Sequence, residues 1–100
     1  MPQVTVCVKH HLGKEEAIRR IRSAVDNLKH RVTHTVSDIQ ESWTDGIASF
    51  SFRILKMSIE GTLNVEPLRV ELRGRFPAAV LPFKKEIEKD IERKARRLLA

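Results

Sequence analysis

The stretch Ala48–Val65 reads ASFSFRILKMSIEGTLNV. Ala48, Phe50, Phe52 and Ile54 alternate with Ser49, Ser51 and Arg53, and Met57, Ile59, Gly61, Leu63 and Val65 alternate with Ser58, Glu60, Thr62 and Asn64. A period of two puts one set on a covered face and the other in water, so the stretch predicts two half-buried strands reversed at Leu55-Lys56. Upstream, Ile39, Glu41 and Trp43 point to one side of a preceding strand, and Thr44-Asp45-Gly46 carries a hairpin signal. Downstream, Glu66-Pro67 supplies another reversal, and Leu68, Val70 and Leu72 make a further strand. Gly74-Arg75-Phe76-Pro77 then ends the sheet, because proline cannot donate to a ladder.

Two helical patterns flank these hairpins. Val4, Val6 and Val8 alternate along a first strand, and Gly13 with Glu16 resembles a capping box, Leu12 and Ala17 forming its hydrophobic staple. From Lys14 to about His30, Ala17, Ile18, Ile21, Ala24, Val25 and Leu28, with Val32 beyond, recur at spacings of three and four. Thr33 to Ser37 is polar and β-branched, a poor helix continuation. At the other end Pro82 fits a first helical turn, and Phe83, Ile87, Ile91, Ala95 and Leu98 step down one face. The expected fold is α+β, in the order β-α-β-β-β-β-α: an antiparallel sheet with both amphipathic helices packed on its apolar face.

A chain of 100 residues, 41% apolar and 32% charged, has the size and composition of one folded domain, 1–100. No charged-then-apolar leader and no apolar run near the roughly 18 residues of a membrane span are present, so a cytoplasmic location is expected. Cys7, the only cysteine, is expected to be a small buried hydrophobe. The net charge is +6; residues 14–31 hold six basic and three acidic side chains, residues 84–97 seven and four, and the remainder six and six. The excess therefore falls on the helices, whose basic faces include Arg19, Arg22, Lys85, Lys89, Arg93 and Arg96, and the strand regions sum to zero.

The reactive residue types do not assemble into a motif. His10 and His11 are adjacent and so point apart in extended chain, and His30 and His34 straddle a helix end, which argues for capping or surface histidines over a metal site. No G-x-S-x-G places a serine nucleophile, the acidic residues sit at a helix start or alternate with bases, and no phosphate-binding glycine loop occurs. Neither catalysis nor a cofactor is expected. Nucleic acid is disfavoured because Phe50 and Phe52 share the apolar face and there is no tyrosine, leaving non-specific phosphate contact by helix arginines as a minor alternative.

Two segments invite a binding role. The run Phe76-Pro77-Ala78-Ala79-Val80-Leu81-Pro82-Phe83 is apolar without a period that would bury it all, so it is either a lead-in folded beneath the sheet edge or a contact surface. Trp43 beside its turn is either a lid on the core or a binding residue.

His11-Leu12 with Glu15-Glu16-Ala17, Glu41-Ser42-Trp43, Phe50-Ser51-Phe52, Gly61-Thr62-Leu63, Val70-Glu71-Leu72, and Phe83-Lys84 with Ile87-Glu88 and Ile91 together resemble the polyhydroxyalkanoic acid system family. The similarity spans nearly the whole chain in order; Gly13 departs from the hydroxyl cap expected there, and Cys7 is not part of the pattern. The resemblance implies a bacterial accessory protein associated with polyester storage granules, touching the granule or its proteins, with no catalytic residues to transfer. The apolar run (Phe76, Pro77, Val80, Leu81, Phe83), Trp43 and the basic helix faces are the expected contacts, and an apolar patch of this kind also suits a homodimer. A competing expectation is a carrier of hydroxyacyl-type ligands in a cavity between sheet and C-terminal helix, lined by Phe50, Phe52, Ile59, Leu63, Ile87 and Ile91.

Overall fold

The valine alternation near the N-terminus becomes β1 (Gln3–Lys9) in the computed structural model, which describes residues 3–31 and 35–100. It is followed by α1 (Lys14–Arg31), β2 (Val36–Thr44), β3 (Ile47–Ile54), β4 (Met57–Val65), β5 (Arg69–Arg75), a 3-10 helix (Ala78–Phe83) and α2 (Lys84–Leu98). Val32, Thr33 and His34, which entered the helix and histidine arguments, lie outside the described residues.

The five strands form one antiparallel sheet in the order β1-β5-β4-β3-β2, so α1 carries the chain from one edge to the other. Asp45 and Gly46, at φ 52° and 80°, turn β2 into β3, a primed turn whose twist suits the flanking strands. Leu55 and Lys56 do the same for β3 and β4 at φ 50° and 70°, without a glycine. Gly13 also stands at positive φ (82°), which is why glycine and not a hydroxyl residue precedes α1. Glu16 does not close a capping box: its carboxylate takes Arg19 Nε at 2.8 Å and Arg20 Nε at 2.9 Å instead.

Both helices turn their apolar stripes to the same core. Val4, Val6 and Val8 meet Val65 and Val70 on the sheet, Ala17 and Ile21 from α1, and Leu99 just past α2. Burial of that many β-branched side chains is the main stabilising term, at about 25 cal/mol per Å² of apolar surface. α2 runs along β1, where the Thr5 edge N–H donates to Glu88 Oε2 at 3.3 Å. Arg20 of α1 donates to the Leu98 and Ala100 carbonyls at 3.1 and 2.8 Å, tying the two helices together at the carbonyl end of α2.

Four sequence expectations are corrected. Leu68 precedes β5 and is exposed, because the reversal after Pro67 needs one more residue. Gly74 does not end the sheet; it lies within β5, paired with Val4 and Gly61. Pro82 sits inside the 3-10 helix, and α2 starts two residues later. Cys7 is exposed, because the alternation that buries Val6 and Val8 turns it to the opposite face.

Candidate functional site

The helix-free face of the sheet holds an open trough of about 690 Å³. Two consecutive cross-strand rows line it. One runs Gln3–Arg75–Glu60–Ser51–Gln40, and the other brings Arg73, Thr62, Ser49 and Ser42 into line. Between them runs a row that crosses all five strands, Val4–Gly74–Gly61–Phe50–Glu41. A side chain on Gly61 would point away from the trough, to the helix-covered face, and meet the Arg73 carbonyl at 2.5 Å and the Phe50 ring at 2.7 Å, so glycine is required at this point of β4.

Register also sorts the strand charges. Although the strand regions sum to zero, Lys9, Arg53, Arg69, Arg73 and Arg75 share the helix-free face with Glu60 and Glu71, and Asp38 and Glu66 pair with Arg53 and Arg69 at its margins. Arg73 donates to Glu71 at 2.7 Å and Arg75 lies 3.7 Å from Glu60, both guanidinium groups remaining more than half exposed. Cys7 stands on this face beside Arg69.

A second, apolar feature lies at the β1 side. In the 76–83 segment Phe76, Pro77 and Val80 are half-buried, whereas Leu81 and Phe83 are 52% and 55% exposed. Phe76 lies over Gly74, its ring about 3.5 Å from where a Cβ would stand. Val80, Leu81 and Ile87 border a void of only about 10 Å³, room for one water at most. The segment therefore divides into a packed side and an apolar outer side.

Trp43 stands at the far edge of the sheet from that segment, on β2. Its indole N–H donates to Glu41 Oε2 at 2.6 Å and the Arg22 guanidinium lies 5.4 Å above its ring. Lys29 donates to the other Glu41 oxygen, and this ammonium, with the indole N–H, holds the Glu41 carboxyl below the usual carboxylate range. The Glu41-Ser42-Trp43 segment is thus a clamp between β2 and α1.

Of the basic helix residues, Arg19 pairs with Glu16, Arg93 with Asp90 and Arg96 with Glu92, each within its own helix. The Arg19 and Arg20 guanidinium groups lower the Glu16 carboxyl to about 2. Lys85 and Lys89 are exposed and make no ion pair with another described residue.

The six residues expected around a ligand cavity do not share one. Phe50 and Phe52 stack at 6.3 Å, Phe50 covers Gly61, Ile59 is buried, Leu63 and Ile91 pack against the core, and Ile87 borders the 10 Å³ void. α2 packs on β1, which β5 and β4 separate from Phe50 and Phe52 on β3, so helix and phenylalanines do not face each other across a common space.

Sequence reasoning missed His10 as a structural group. It is 3% exposed, accepts the Leu12 N–H at Nδ1 (3.2 Å) and donates from Nε2 to the Glu66 carbonyl (3.0 Å), so both ring nitrogens are used. Its partner Glu66 is remote in sequence, and only the β1–β5 pairing reveals it. Among the described residues no three His, Cys, Asp or Glu side chains gather as metal ligands. No helix among them is long and apolar enough to cross a membrane.

A family described as "Putative polyhydroxyalkanoic acid system protein" matches residues 4–99. No curated protein and no solved structure matches the chain.

Proposed function

Because the chain belongs to the polyhydroxyalkanoic acid system family, we propose that it is a non-catalytic accessory protein that adsorbs to the polyester granule, or to proteins on it, through the outer side of the 76–83 segment. The observation that carries this reading is the exposure of Leu81 and Phe83 on a 3-10 helix stiffened by Pro82. Because about half of each side chain is still exposed, burying the two against a hydrophobic surface contributes about 1 kcal/mol each. Lys84 and Lys85 follow directly, and their charge favours acidic groups beside the apolar contact.

Sedimentation with purified polyester granules tests the proposal. Leu81→Ser plus Phe83→Ser removes the exposed apolar groups and leaves Phe76 on Gly74. The wild type is expected in the pellet and the double variant in the supernatant, with equal thermal stability. Equal recovery of both in the pellet would exclude the segment.

A further inference from the structure

We infer that the trough on the helix-free sheet face binds a short, soluble, linear hydroxyalkanoate oligomer with a free carboxylate. The choice of occupant rests on the granule-system reading; the existence of an anion-accepting, donor-rich site does not. Arg73 and Arg75 project from one face of β5, flanked by the hydroxyls of Ser42, Ser49, Ser51 and Thr62. Gln3 and Gln40 stand at the two ends. None of these six neutral side chains hydrogen-bonds to another described residue.

Both carboxylates bordering the trough are engaged by cations, Glu60 by Arg75 and Glu41 by Lys29. Arg73 and Arg75 are themselves paired with Glu71 and Glu60, but both stay more than half exposed and keep further N–H groups free to donate, so the site presents donors. An oligoester is the matching ligand: every ester oxygen accepts, only the terminal hydroxyl donates, and the single charge is negative. The longer of the two rows, from Gln3 to Gln40, crosses five strands, about 19 Å at ~4.8 Å per strand, a span suited to several ester units rather than one hydroxy acid. The volume lies in the range of about 300–1,000 Å³ found for small-molecule sites. Phe50, the aromatic bordering the trough, lays its ring over Gly61 on the other face, so no stacking platform for bases is offered.

Amide NMR titration with a linear tetramer of 3-hydroxybutyric acid tests this. The amides of Ser42, Ser49, Thr62 and Arg73 are expected to shift, with affinity about ten-fold lower for the methyl ester of the tetramer and for Arg73→Gln plus Arg75→Gln. Ser42→Ala plus Ser49→Ala keeps every charge and is expected to weaken binding several-fold. The arginine variant should still sediment with granules, which separates this site from the apolar segment. Shifts confined to residues 76–83, equal affinity for acid and methyl ester, a single-stranded oligothymidine titrating the same amides more tightly, or loss of granule sedimentation in the arginine variant would each overturn the assignment.

Discussion

Gly61 faces Gly74 across the β4–β5 ladder, and an aromatic ring lies against each of them, Phe50 on one and Phe76 on the other. The pair lets two backbones approach within a row that would otherwise carry side chains, and the polar trough lies across that row. Gly61→Ala places a methyl against the Arg73 carbonyl and is expected to cost about 1–3 kcal/mol. Urea unfolding of the variant checks this; unchanged stability would mean the strands can separate without loss.

Leu55 and Lys56 hold left-handed backbone angles that cost an ordinary L-residue about 1–2 kcal/mol. Leu55→Asn plus Lys56→Gly should therefore stabilise the protein by about 1–2 kcal/mol, or roughly 4–8 °C in Tm per kcal/mol for a domain of this size. Calorimetry reads the shift directly.

The Glu16 carboxyl lies at about 2 against an ordinary 4.5, and those of Glu41 and Asp90 are also lowered by their cations. A depressed carboxylate stabilises the fold above its unfolded value and loses that contribution as pH falls toward its folded value. For Glu16 the window is from about 4.5 down to about 2. Glu16→Gln should be less stable than wild type at pH 7, with the difference closing across that window. A difference that grows as pH falls would contradict the assignment.

His10 is fixed as the Nε2–H tautomer, since Leu12 N–H can only donate and the Glu66 carbonyl can only accept. Long-range proton–nitrogen correlation spectra should show Nδ1 without a proton. His10→Ala leaves both partners unpaired beneath the surface and should cost about 2 kcal/mol or more.

β1, β3, β4 and β5 are readable because a period of two is written in them, whereas β2 breaks its period between Ser37 and Gln40; Asp45-Gly46 supplies its own turn angles. Cys7 shows how a residue-type preference can mislead: its burial was inferred from cysteine's habits, although its position between Val6 and Val8 already placed it outward. Charge summed by segment could not show that Arg69, Arg73 and Arg75 line up on one side of β5, since that depends on which side each residue takes. The trough was illegible because it arises from the register of five strands, and the His10 bracket because Glu66 is brought in by pairing across β1 and β5. The 76–83 segment was seen as apolar, but its division into an inner and an outer side needed the 3-10 geometry.

Hydrogen–deuterium exchange of the wild-type protein, free and bound to polyester granules, tests the central claim most directly. The account predicts that granule binding slows amide exchange across residues 76–83 and the first turn of α2 while leaving β2 unchanged. Protection centred on the β2 edge around Trp43, with residues 76–83 exchanging at their free rate, would contradict it.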